Sequence, residues 1–219
     1  MLVFHIGNRD SRLMLITVAG MALLMVFALA QTGCVAGGGS SRGGRSMETH
    51  NILNKQEIFV FNALPKSVGE LQAMPEAAMT TPFMTAALTV AALSAYGDNP
   101  SASIAMLNVL RGPQPLSNRE TQFLRERLSG KKYKPFSYFE GATPQNGYTP
   151  HKPYRITVSE QAHSYPDQAQ AKLFIYSAGA DSARPVTMRL KPSTGQWFVI
   201  EYSSLLLDMR VPDSQNRWR

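Results

Sequence analysis

Apolar residues recur three and four positions apart between residues 65 and 130, then alternate with polar ones between 154 and 202. The first period is that of helices and the second that of half-buried strands. Ser67-Val68-Gly69-Glu70 has the spacing of a capping box, in which the serine oxygen accepts a first-turn N–H and the glutamate reaches back to the serine's own N–H. That helix stops before Pro75. Thr81-Pro82 supplies a cap and a proline at the first helical position, and residues 83–96 (FMTAALTVAALSAY) carry no charge on any face before Gly97. A helix of that texture is buried all round, and at about fourteen residues it is too short to cross a bilayer comfortably. Asn99-Pro100 opens a third helix bearing Ile104, Leu107 and Leu110, which ends at Arg111-Gly112-Pro113. Ser117 and Glu120 form a second capping box, starting a helix with Phe123, Leu124 and Leu128 on one face and closed by Gly130.

Prolines at 135, 144, 150 and 153 predict an ordered connector rather than a helix beyond Tyr133. Strands follow. Residues 154–159 alternate, residues 172–177 (KLFIYS) are rich in β-formers, and residues 185–202 read as a hairpin closed by Pro192-Ser193-Thr194-Gly195. The expected fold class is therefore α+β: an N-terminal cluster of about four short helices packed on a C-terminal three- or four-stranded antiparallel sheet. Trp197 or Phe198 should anchor the contact.

The chain's front end has another texture. Residues 13–30 (LMLITVAGMALLMVFALA) carry no charge, follow Arg9 and Arg12, and lead to Gly33-Cys34 and the run GGGSSRGGRS. This predicts an export signal or membrane anchor over residues 1–34 and a flexible tether over 35–50. A single domain over 51–211 and a tail over 212–219 complete the expected organisation. Cys34 is a candidate lipid-attachment residue in resemblance to bacterial lipoproteins: Gly33 fits the position before the cysteine, while Gln31 departs from the usual leucine. Two alternatives stand beside it, cleavage after Ala28-Leu29-Ala30 to free the protein and retention of the apolar stretch as an uncleaved anchor. Val35 rather than Asp after the cysteine suggests, by analogy with lipoprotein sorting, release to an outer membrane where the host has two.

Composition changes this picture only slightly. The net charge of +7 is partly supplied by Arg9, Arg12, Arg42 and Arg45, so the domain itself is mildly basic, which favours anionic surfaces without specifying one. A single cysteine excludes an internal disulfide.

Reaction chemistry is sparse. His5, His50, His151 and His163 lie far apart, and no metal-type spacing, G-x-S-x-G, phosphate loop or dinucleotide glycine pattern occurs, so neither a metal nor a cofactor is expected. Glu140 is the best candidate carboxylate, because burial against Phe136, Tyr138 and Phe139 would raise its pKa towards a general acid's range. It has no evident second carboxylate as a glycosidase partner. Residues 131–155 interleave cations with Tyr133, Phe136, Tyr138, Tyr148 and Tyr154, and these five with Arg155 form a candidate ligand patch. Rings in a long loop also serve simply to pin it to the core. Export argues against a nucleic-acid target.

The segments PFSYFEGATPQNGYTPHKPYRITV (135–158) and ARPVTMRLKPSTGQWFVIEYSSLL (183–206), with TPFMTAALTVAALSAY and RGPQPLS, resemble an uncharacterised bacterial domain-of-unknown-function family. The resemblance runs from about Phe61 to the C-terminus and implies a shared fold and a bacterial source, with no activity or catalytic residues to carry over. The expectation is thus a membrane-anchored extracytoplasmic domain of the bacterial envelope that binds an envelope component through its aromatic loop or sheet face without turnover. The competing readings are an envelope glycan- or peptide-acting enzyme using Glu140, and a small-ligand carrier with a pocket between helices and sheet.

Overall fold

The charge-free helix expected near residue 83 organises the molecule. A computed structural model describes residues 55–218. Cys34, the apolar stretch, the Gly/Ser run, His5 and His50 lie outside those residues. The elements are β1 (Gln56–Phe61), α1 (Val68–Gln72), α2 (Pro82–Ser94), α3 (Pro100–Arg111), α4 (Asn118–Leu128), α5 (Tyr133–Phe136), β2 (Tyr154–Ser159), β3 (Gln170–Ile175), β4 (Arg184–Lys191) and β5 (Gln196–Glu201), with short 3-10 turns between and after them. In α2 every residue except Met84 is buried, and the helix packs against all five strands. An amphipathic helix could not do this, because it would turn a charged face into the core. Among the described residues no helix is long and apolar enough to cross a membrane.

The sheet is antiparallel in the order β1-β2-β3-β4-β5. The fold class is α+β as expected, but the sheet has five strands rather than three or four. The added one is β1, which carries apolar side chains on both faces: Phe59 and Phe61 are buried, Ile58 and Val60 exposed. Such a run lacks the in-out contrast by which strands are read. All the α-helices lie between β1 and β2, so β1 pairs with a strand far away in sequence. Register puts Phe59 opposite Ile156, Val158 opposite Ile175, Leu173 opposite Val186 and Met188 opposite Val199, making one continuous apolar face beneath α2. Burial of that face is the main favourable term in folding.

The two sheet edges differ. On β5 the Trp197 N–H donates to the Met79 carbonyl at 2.8 Å, and its own carbonyl accepts the Thr85 hydroxyl of α2 at 2.7 Å. Buried Arg111, at the end of α3, donates to Ile200 O at 3.4 Å. Trp197 is thus an anchor through its backbone as well as its buried ring. On the other edge, β1 exchanges backbone hydrogen bonds with β2 alone among the described residues.

Candidate functional site

Residues 137–153 form an ordered connector without a helix, as expected, but residues 133–136 form the short helix α5, which Pro135 permits because it stands within the helix's first turn. The connector's loop is pinned by Asn146, whose Oδ1 accepts from the N–H groups of Thr143 and Thr149 while its Nδ2 donates to the carbonyls of Gly141 (2.7 Å) and Thr149 (3.1 Å). One side chain thereby replaces the ladder that a strand would provide. The loop is tied to its surroundings by Glu140 N–H donating to Arg155 O at 2.9 Å and Asp213 N–H donating to Pro144 O at 3.0 Å.

The candidate aromatic residues divide. Tyr138 is buried with its hydroxyl donating to Leu205 O at 2.9 Å, and burial pushes its phenol far above the ordinary value. Tyr148 is likewise buried, donating to Arg210 O at 2.9 Å, and burial again raises it. These two fasten the connector to the C-terminal segment, since a buried hydroxyl must find a partner. Tyr133 stacks on Tyr148 with centroids 5.6 Å apart and planes 19° apart. Its phenol too is raised by burial, and its hydroxyl makes no hydrogen bond among the described residues. Phe136 and Tyr154 are half-buried against Phe139.

Four of the six candidate ligand residues come together. Tyr133, Phe136, Tyr148 and Tyr154 share an open pocket of about 610 Å³ with Lys132, Lys152, Thr149 and, from the C-terminal turn, Ser214 and Gln215. The volume is in the range of small-molecule sites. Lys152 Nζ stands 5.9 Å from the Tyr154 ring centroid. Neither it nor Lys132 forms an ion pair among the described residues, and no carboxylate lines the pocket. A lysine over an aromatic face and a second beside it, with no carboxylate lining the pocket among the described residues, are chemistry for an anionic ring-bearing ligand. The cations of residues 131–155 were legible as a group, with Arg155 singled out rather than Lys132 or Lys152, and the turn at 213–215 was not. Lys132 was readable in the KKYK run, whereas the turn could be placed only by the fold.

Tyr138, Glu140 and Arg155 instead line a smaller hollow of about 300 Å³. The inward turn of Tyr138 and Phe139 sends Glu140 outwards: its side chain is 66% exposed, with Oε2 at 3.9 Å from Arg155 Nε. The aromatic burial expected of Glu140 is therefore absent, and with it the physical ground for a general-acid role. Glu140 is the one carboxylate lining that hollow. His151 and His163 are exposed, and no cluster of metal-ligating side chains occurs among the described residues.

One buried cation was not anticipated. Lys134 of α5 donates from Nζ to Leu206 O at 2.6 Å, and burial, followed by the nearby charges of Lys131 and Arg127, lowers its pKa. It clamps α5 to the turn after β5.

Neither curated proteins nor solved structures yield a match to the chain. Residues 63–213, from just after β1 through the connector to the edge of the pocket's last turn, match the family described as Domain of unknown function (DUF6935), and the chain belongs to that family.

Proposed function

We propose that this protein is a non-catalytic binding module, tethered to a membrane outside the cytoplasm, whose aromatic pocket takes a sugar ring bearing a negative group from the bacterial envelope. The pocket carries the reading: the half-buried rings of Phe136 and Tyr154, backed by the buried Tyr133–Tyr148 stack, meet two lysines that form no ion pair among the described residues, and no carboxylate of those residues lines it. Neither a carboxylate nor a histidine, the usual general bases of hydrolysis, lines it among the described residues. The apolar stretch at 13–30 and Gly33-Cys34 support placement outside the cytoplasm.

The test is calorimetric titration of the full-length chain in detergent with N-acetylglucosaminyl-N-acetylmuramic acid, which bears a lactyl carboxylate, against chitobiose, which lacks it, and against inorganic phosphate. The disaccharide acid should bind at least about tenfold more tightly than chitobiose, one charge-assisted contact being worth that much. Lys152→Ala should weaken it while leaving the thermal unfolding profile unchanged, and Tyr154→Ala should weaken it while also lowering the melting temperature, since its ring packs on Phe139. Equal affinity for the two disaccharides would overturn the charge selection, and binding of none of the three would overturn the site.

A further inference from the structure

The sheet face away from α2 carries a second, independent pattern. Register alignment places Val60 opposite Arg155, Ile58 opposite Thr157, Lys172 opposite Thr187 and Gln170 opposite Arg189 on that outer face, with Lys191 two positions further along β4. Tyr176 continues the outward parity of Lys172 and Phe174 just beyond β3. Ile58, Val60 and Tyr176 are 61%, 45% and 64% exposed, and they make up half of the large hydrophobic side chains left exposed among the described residues. Lys172, Arg189 and Lys191 form no ion pair among those residues, and Arg155 has only the long contact to Glu140.

We infer that this outer face docks flat on an anionic phospholipid surface. Charge complementarity selects the occupant: four cations from three adjacent strands outnumber the two carboxylates at that face, Glu140 beside Arg155 and Glu201 opposite Thr187, while Ile58, Val60 and Tyr176 stay uncovered among the described residues. Interfacial membrane binders combine the same two ingredients, apolar side chains entering the headgroup boundary and lysine or arginine meeting the phosphates. A protein partner with an acidic patch would meet the charges but leave Ile58 and Val60 in water unless it also offered apolar surface. Chain order points the same way: β1, which carries Ile58 and Val60, is the first element among the described residues and lies on the side of the chain that leads back to the apolar stretch at 13–30. The pocket is a separate surface, and the inference stands whether or not a sugar binds there.

The experiment uses full-length chain carrying Cys34→Ser, which removes the sole cysteine, so that one fluorophore can be placed by Tyr176→Cys on the outer face or by Ser101→Cys at an exposed site in α3. Each protein is added to vesicles of brominated phosphatidylcholine, alone or mixed with brominated phosphatidylglycerol, and co-sedimentation reports separately whether the leader inserts. Quenching at position 176 should be several-fold greater with phosphatidylglycerol, absent at position 101, and lost in the Lys172→Glu, Arg189→Glu double variant. The milder Lys172→Gln, Arg189→Gln pair should lose part of it, guarding against a folding defect. Equal quenching at 176 in both vesicle types, equal quenching at 101, or indifference to charge reversal would each overturn the inference while leaving the tether and the pocket untouched.

Discussion

Single residues decide how tightly the helical layer meets the sheet. Gly112, ending α3, has φ of +59°, and a Cβ built there would stand 2.4 Å from the Phe198 ring of β5. Gly130 has φ of +67° with open space around it. Gly130→Ala should lower unfolding stability by roughly 1–2 kcal/mol, the strain of a positive-φ residue, whereas Gly112→Ala should lose roughly 2–5 kcal/mol because its ψ of −116° lies outside the left-handed helical region and the ring must also move. Denaturant melts of both variants provide the check, and equal losses would mean that Phe198 yields freely. A turn glycine could be read in the sequence as a stop signal, but its closeness to Phe198 could not, since the two positions meet only through the packing of α3 on β5. Lys134 was equally opaque. In a Lys-Lys-Tyr-Lys run it reads as solvated, and only the carbonyl of Leu206 explains how its amine tolerates burial.

Elements were legible where local chemistry sets their limits. Of the two expected capping boxes only the second closes: Ser67 accepts the Glu70 N–H but Glu70 accepts the N–H of Lys66 rather than that of Ser67, whereas Ser117 and Glu120 form the reciprocal pair in full. β1 was not legible, because its pairing with β2 spans the whole helical part. Glu120 links the start of α4 to the end of α3 through Arg111 at 3.0 Å. Burial alone would raise its pKa, but hydrogen bonds from the Ser117 side chain and backbone, helped by Arg111, outweigh this and hold the carboxyl below its ordinary value. A carboxylate whose folded pKa is depressed stabilises the protein above its unfolded pKa, and that contribution is lost as pH falls through the folded value. The melting temperature of the wild type should therefore drop more steeply than that of Glu120→Gln between about pH 5 and about pH 3. Thermal melts across that window test it, and parallel curves would show that the depressed value carries no stability. The side chain of Glu120 is 38% exposed, so solvent screening keeps the difference modest.

For the molecule as a whole, the sequence showed helices followed by four strands, read from alternation or, for β3, from β-former content two residues out of place, and it missed the strand ahead of the helices. The site was half legible: the rings of residues 133–154 could be picked out, but which of them turn into the core and which line the pocket depends on the C-terminal segment folding back over the connector. That return is made by Tyr138 and Tyr148 reaching the carbonyls of Leu205 and Arg210, contacts between residues more than sixty positions apart. Where this domain resides depends on the chain ahead of it, where three outcomes have different masses. Lipid attachment after cleavage before Cys34 leaves acyl groups on a chain starting at that cysteine, peptidase cleavage near Ala30 leaves an unmodified chain starting near Gln31, and retention leaves the whole leader in place. We expect intact-mass spectrometry of protein extracted from the membranes of a bacterial host to give the acylated species, and Cys34→Ser to abolish it. Gln31, where lipoprotein signals usually have leucine, should slow processing without preventing it, so some uncleaved precursor is expected beside the mature form. A mass equal to the unmodified full chain, recovered from cytosol, would remove both the envelope placement and the sugar acid that placement suggests.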